Sequence, residues 1–300
     1  MNIQNKRPAF YTPLRYPGGK GKIAPFIKSI IEQNDLMDGY YAEPYAGGAA
    51  VALELLFQEY VTHIHINDIS PSVAAFWRSV LYNSENLCKK IQDTPVTIEE
   101  WNRQKALQVN SEQHDDLTLG FSTFFLNRTN RSGILKAGVI GGKSQSGNWK
   151  LDARYNVQDL IKRIQAIANQ SRRITFSQLD AKEFISYIGN NLPSKTLIYL
   201  DPPYFIKGKD LYHHHYSIFD HQRISELIPI ALRNQHWIVS YDDVPQIREL
   251  YKDYQRISYG LTYSAQSRYQ GSEVMFFDNL MKIPQFSSSM KKVEENKKVA

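Results

Sequence analysis

The sequence predicts an α/β fold built on a Rossmann-like parallel sheet, interrupted by a mostly helical insertion. Three observations carry that prediction. Short apolar, β-branched runs alternate with helical patterns at both ends of the chain. Four of those runs stop at or just before an acid: Glu43, Asp68, Asp180 and Asp201. The alternation lapses from about residue 84 to residue 169, where no strand pattern occurs. Ligands of open α/β sheets bind at the carboxyl ends of the strands, so acids at those ends are candidate site residues.

Residues 1–12 read as an arm. Pro13-Leu-Arg-Tyr-Pro-Gly-Gly-Lys20-Gly-Lys22 then leads into a helical pattern from Ile23 to Glu32. Glycines ahead of a helix let backbone N–H groups approach an anion. No strand precedes them and no Ser or Thr follows Lys20, so this is not a nucleotide-binding P-loop. Lys20 is placed to meet a carboxylate, and Tyr16 to cover an apolar or cationic group. The alternative is a Pro-Gly turn with solvated lysines.

Next, Tyr40-Tyr-Ala-Glu43 reads as a strand, Pro44 to Gly48 as a Gly turn, and Ala49 to Gln58 as an apolar helix. This is the opening unit of a Rossmann-like fold, without the G-x-G-x-x-G that marks a dinucleotide pyrophosphate. Glu43 is suited to a ligand ammonium. A second strand, Thr62 to Asn67, ends at Asp68, 21 residues beyond Gly47. That spacing suits an acid that binds ribose hydroxyls, though a helix N-cap competes for the position. A helix from Pro71 to Asn83 closes this half.

The insertion contains an apolar helix around Gly120-Phe-Ser-Thr-Phe-Phe-Leu126. It runs into Asn127-Arg-Thr-Asn-Arg131 and a Gly-rich stretch punctuated by Lys136, Lys143, Lys150 and Arg154. Basic side chains among Asn, Ser and Gln suit phosphate and base-edge contacts, which makes Arg128, Asn130, Arg131 and Lys143 candidates for nucleic-acid binding. The alternation resumes with a strand at Ile174–Leu179 and Asp180 ahead of a helix. A buried strand at Thr196–Leu200 leads to Asp201-Pro-Pro-Tyr204. The prolines end the strand and leave a carboxylate and a ring at its carboxyl edge. An Asp carboxylate and a rigid Pro202 carbonyl can accept both N–H bonds of an exocyclic amine. They then favour a pyramidal nitrogen, while Tyr204 stacks on the base. Lys207 to Tyr216 reads as a loop beside the site. Its His213–His215 run does not suit a metal, because adjacent residues diverge, and no metal is expected. A helix from His221, a strand at His236–Ser240, a helix from Pro245 and a strand pair ending near Phe277 complete the sheet.

The bulk properties fit these readings. At 300 residues, 42% hydrophobic and 22% charged, the chain is long enough for one large core or a core plus a lobe. A net charge of +6 mildly favours a polyanionic partner. The single cysteine, Cys88, excludes an intramolecular disulfide and a Cys-based zinc cluster, and a reducing cytoplasm is expected. No apolar run approaches the ~18 residues a membrane span needs, and the N-terminus has no secretory h-region.

Taken in order, these motifs resemble those of the D12-class DNA adenine N6-methyltransferases, of the Dam type and α arrangement, over residues 13–280. Leu14 to Lys20, Glu43 to Gly47, Asn67-Asp68, Phe125 to Gly133 and Asp201 to Tyr204 carry the likeness. The resemblance implies a methyltransferase core at 13–83 and 170–283, a target-recognition lobe at 84–169, and a disordered tail at 284–300. It implies S-adenosylmethionine as cofactor, with Tyr16 and Lys20 at its methionine end, Glu43 on its ammonium, Gly47 in its turn, Asp68 on its ribose and Asp180 at its adenine. Asp201, beside the donated methyl, would act on a flipped adenine in double-stranded DNA with Pro202 and Tyr204. The family often has a glycine two positions after the first of its turn, where this chain has Ala49. A monomer is expected, with a cognate restriction endonuclease acting separately. The alternatives are methylation of RNA or of a protein glutamine, or a catalytically idle DNA-binding relative.

Overall fold

The computed structural model describes residues 11–15, 20–206, 216–262, 270–285 and 291–292. Tyr16, the His213–His215 run and most of the tail expected from residue 284 lie outside the described residues. The strands are β1 Gly39–Glu43, β2 Val61–Asn67, β3 Ile174–Ser177, β4 Thr196–Leu200, β5 His236–Asp242, β6 Gln255–Thr262, β7 Gln270–Phe277 and the two-residue β8 Lys291–Lys292. They form one sheet in the order β3-β2-β1-β4-β5-β7-β6-β8. The first five are parallel, and β7 runs antiparallel between β5 and β6. This is the Rossmann-like sheet the alternation predicts. The strand order reverses between β1 and β4, which opens a crevice at their carboxyl ends.

All five residues of β4 are buried, as its unbroken apolar run requires. The period of two splits them between two cores. Leu197 and Tyr199 pack into one, with helices α1 Ala24–Gln33, α2 Ala50–Phe57 and α3 Pro71–Tyr82. Ile198 and Leu200 pack into the other, with α8 Ala181–Asn191, α9 Ile218–Ala231 and α10 Pro245–Leu250.

The insertion folds as four helices: α4 Ser84–Asp93, α5 Ile98–Leu107, α6 Asp116–Thr129 and α7 Val157–Asn169. Thr97 caps α5 by accepting from Glu100 N–H, and Asp115 caps α6 by accepting from Thr118 N–H. These helices share the first core: Phe121, Phe124 and Phe125 of α6 belong to the same cluster as Phe76 and Trp77 of α3. The segment expected as a lobe thus shares buried contacts with α3 and the first core. The close approach is made at Gly120, where a Cβ would sit 2.6 Å from Ala75 O and from Ser79 Oγ.

Candidate active site

The carboxyl ends of β1, β2, β4 and β5 each bring acids or hydroxyls to the crevice. Asn67 fastens three of the strand exits together. Its amide donates to Pro44 O at 3.0 Å and Leu179 O at 3.1 Å, and its oxygen accepts from Leu179 N–H at 2.9 Å. Expected as part of a ribose motif, Asn67 works here as a clamp, with 1% of its surface exposed. Asp68 takes the Gly47 N–H at 3.0 Å on one oxygen and the Ser70 N–H at 2.9 Å on the other. It therefore holds the turn after β1 from the end of β2. Trp77 also donates to Gly47 O at 2.9 Å. Gly47 has φ 48°, and Ala49 has φ 47°. The left-handed conformation a glycine adopts freely thus falls on an alanine, at the position where the sequence departs from the family pattern.

Glu43, at the end of β1, is 5% exposed. One carboxylate oxygen accepts from Tyr41 OH at 3.1 Å and from Ala52 N–H at 3.2 Å. Burial pushes the carboxyl up to about 8; these two bonds act against the rise and the nearby Asp201 adds to it. A buried acid in this state is stabilised by an arriving cation. Asp180, beyond β3, accepts from Lys182 N–H at 2.9 Å and caps α8.

Asp201 leaves β4 beside Lys20. The ammonium lies 3.4 Å from Asp201 Oδ1 and 2.7 Å from Glu273 Oε2, and it contacts the Tyr204 hydroxyl. It also lies 5.1 Å from the centre of the Tyr204 ring. Ser240 donates to the same Asp201 Oδ1 at 2.8 Å. Having given its one proton there, Ser240 accepts from Tyr199 OH at 2.7 Å. Both protein contacts thus end on Oδ1, and among the described residues no hydrogen bond reaches Oδ2. Burial raises the Asp201 carboxyl above its usual range; Lys20 opposes this, Glu273 adds to it, and Ser240 opposes it. Burial acts to lower the Lys20 ammonium, but Asp201 and Glu273 overcome it, so Lys20 stays charged. Asp242 steadies the segment beyond the tetrad, taking the N–H groups of Phe205 and Ile206 at 2.9 Å each. Pro202 is buried, and Tyr216 places its hydroxyl 3.0 Å from that of Tyr45 just past β1.

Sequence reasoning missed Glu273, Tyr259, Ser240 and Asp242. The available signals were a fully buried acid inside the apolar run Glu273-Val-Met-Phe-Phe277 and polar residues closing the strand at His236. Tyr259 OH donates to Glu273 Oε2 at 2.8 Å.

The candidate nucleic-acid residues divide. Arg131 and Lys143 are exposed. Asn130 is 0% exposed, accepts from Trp101 Nε1 at 2.7 Å and donates to Ile134 O and Leu135 O at 3.0 and 2.9 Å. It therefore shapes the loop and presents nothing to a ligand, which corrects its expected role. Arg128 is 8% exposed, and its Nε has no hydrogen-bond partner among the described residues. Burial, then Arg163 and Arg15, push its guanidinium down to about 9. Asp159 opposes this more weakly, and among the described residues no ion pair reaches Arg128.

A family model for D12 class N6 adenine-specific DNA methyltransferases matches residues 16–265. The modification methylase StsI of Streptococcus sanguinis is 22% identical over 218 residues, which is 69% of this chain and 30% of that protein. The chain thus spans under a third of the length of that curated relative. Solved structures are more distant. The rRNA methyltransferase aviRa from Streptomyces viridochromogenes is 11% identical at a TM-score of 0.36, covering 84% of this chain and 83% of that one. A precorrin-6y C5,15-methyltransferase from Geobacter metallireducens is 10% identical at 0.34, covering 83% and 86%.

Proposed function

The chain belongs to the D12 class of N6 adenine-specific DNA methyltransferases, and from that premise we propose that it methylates N6 of an adenine turned out of duplex DNA, with S-adenosylmethionine as donor. The observation that carries this reading is the state of Asp201. Lys20 and Ser240 fix one carboxylate oxygen, while the other is left for an amino N–H at the crevice of the sheet.

The residues at the strand ends fit the cofactor. Buried Glu43 would gain from a ligand ammonium, Asp68 at the end of β2 would take ribose hydroxyls beside the Gly47 turn, and Asp180 beyond β3 would take an adenine amino group. Gly47 would permit close backbone approach, and Lys20 would border the methionine end. When bound, the cofactor supplies an electrophilic methyl group.

The protein's own part is alignment. Asp201 Oδ2 and the Pro202 carbonyl accept the two amino N–H bonds. That draws the lone pair out of ring conjugation and aims it at the methyl carbon. Tyr204 stacks on the extruded base. As the N–C bond forms and the donor's S–C bond breaks, the nitrogen carries one surplus proton. Asp201, raised above the usual carboxylate range by burial, is suited to receive it. Fixed geometry and dipoles supply most of the acceleration. The exposed cations Arg131 and Lys143, together with the buried Arg128, would take the DNA phosphates.

The test is mass spectrometry of nucleosides from unmethylated DNA incubated with protein and S-adenosylmethionine, alongside Asp201→Ala. N6-methyladenine with the intact protein alone is expected. N4-methylcytosine instead would overturn the base assignment. Absence of any methylated base, with the cofactor bound, would overturn DNA as substrate.

A further inference from the structure

We propose that Glu273 is a positioning residue for methyl transfer: it holds the Lys20 ammonium in place, and through Lys20 it fixes how Asp201 and Tyr204 face the target nitrogen. The inference rests on the reading that Asp201 receives that nitrogen.

The argument begins with register. β7 runs antiparallel to β5 and pairs Glu273 with Asp242, the residue that ends β5. β6 pairs Tyr259 with the same Glu273. An acid 72 residues beyond Asp201 in sequence is thereby carried to the edge where β4 ends. There it is 0% exposed and receives the Lys20 ammonium at 2.7 Å, closer than Asp201 does at 3.4 Å. A fully buried carboxylate and a half-buried one thus share one cation.

A charge this deep is costly unless it has a use or full compensation. Lys20 alone would satisfy Asp201. The second acid makes the cluster anionic, and it draws Lys20 off the line to Asp201 instead of letting the pair collapse into a closed bridge. Lys20 comes from a short turn at Lys20–Ile23 that has no strand ladder to fix it. Glu273 comes from the sheet and is gripped by Tyr259 OH at 2.8 Å. The partner held in the sheet therefore sets the position of the one held only by a turn. Lys20 in turn touches Tyr204, so one anchor aligns both ends of the tetrad. The ionisable groups facing this cluster are Tyr199 of β4, Tyr259 of β6, and Tyr41 and Glu43 of β1, with Tyr204 beside Lys20.

The experiment has two readouts on the full-length protein. The first is a carbon-13 NMR titration of the Asp201 carboxyl, assigned with Asp201→Asn, in the native protein and in Glu273→Gln. Removing one negative charge from the cluster shifts the Asp201 midpoint to lower pH. A midpoint that stays or rises would overturn the proposal. This readout does not depend on the substrate, so a protein silent on DNA would sink the proposed function while leaving the positioning role open to judgement. The second is a kinetic cycle of Glu273→Gln, Lys20→Met and the double variant, with cofactor binding followed in parallel. Glu273→Gln is expected to lower kcat at least tenfold, with cofactor affinity within threefold. In the Lys20→Met background it should add less than a twofold loss, because the residue it acts through is gone. Multiplying losses would show that Glu273 acts independently and overturn the inference. Should Glu273→Gln alone fail to fold, the double variant, which buries no net charge at the pair, is compared with Lys20→Met. Equal rates support positioning, and a further tenfold loss refutes it.

Discussion

Glu43 gives the site a pH dependence whose sign follows from burial. Its carboxyl is pushed from an ordinary 4.5 to about 8 in the fold. Below 4.5 both folded and unfolded chains hold the proton; between 4.5 and 8 only the folded chain does. The stability of the ligand-free protein therefore falls as pH rises through this window. A bound ammonium reverses the preference by favouring the carboxylate. Melting temperatures of native protein and Glu43→Gln should diverge from pH 5 to pH 8, the native protein losing ground. The rise in melting temperature on adding S-adenosylmethionine should grow between pH 6 and 7.5 in the native protein and stay flat in the variant. Equal slopes would sink the assignment. Asp201, Lys20, Glu43 and Asp68 were legible because each closes a strand or opens a helix within a short motif. Glu273 was not, because only the antiparallel pairing of β5, β6 and β7 brings it to Lys20, and sequence spacing carries no record of that register.

Between elements, the N-terminal motif and the insertion lock to each other through one amide. Asn127 accepts the Arg15 N–H at 2.7 Å and donates to Arg15 O at 2.6 Å. Gly133, at φ 76°, lets the chains touch, since a Cβ there would lie 2.4 Å from Arg15 O. The asparagines of Asn127-Arg-Thr-Asn130 look like base-reading residues in the sequence, yet both spend their amides on backbone. Composition shows which groups can form hydrogen bonds, not which way they face. Replacing Asn130 by Ala should therefore act on stability. It leaves Trp101 Nε1 and two loop carbonyls without a partner, a cost of about 2–3 kcal/mol. Denaturant unfolding should show this, with the salt dependence of DNA binding unchanged. A loss of base discrimination at native stability would return Asn130 to the interface. Gly120→Ala tests the α3–α6 crossing in the same assay. Its methyl would overlap Ala75 O, so a loss on the order of 1–3 kcal/mol is expected, and none would mean the helices separate at little cost. Of these helices α6 was legible, as the apolar stretch around residues 120–126, while α4, α5 and α7 were not assigned from the sequence. Their merger with the sheet core was not legible either, since the insertion's aromatics pack as well on a neighbour as on each other.

For the molecule as a whole, a net charge of +6 says only that a polyanion is welcome. Where it is met depends on burial, which divides the arginines and lysines of the insertion into two kinds. Lys143 is exposed and acts as a point charge, so Lys143→Ala should weaken DNA binding alike on all sequences. It should also reduce the slope of log affinity against log salt by about 0.9, one phosphate contact. Arg128 differs because its guanidinium is buried and carries no ion pair among the described residues. In the free protein that charge is a burden, first from lost hydration and then from repulsion by Arg163 and Arg15, which Asp159 only partly offsets. Replacing it with Met keeps the bulk and removes the burden, so the free protein should gain on the order of 1 kcal/mol. On the proposed reading a DNA phosphate relieves the same burden, so Arg128→Met should lose affinity and flatten the salt slope by about one contact while it gains stability. Opposite signs in the two assays would identify a site held in readiness for phosphate at the expense of the fold. A variant that loses stability and binds DNA as before would show that Arg128 supports the packing between α6 and α7 and has no part in the interface.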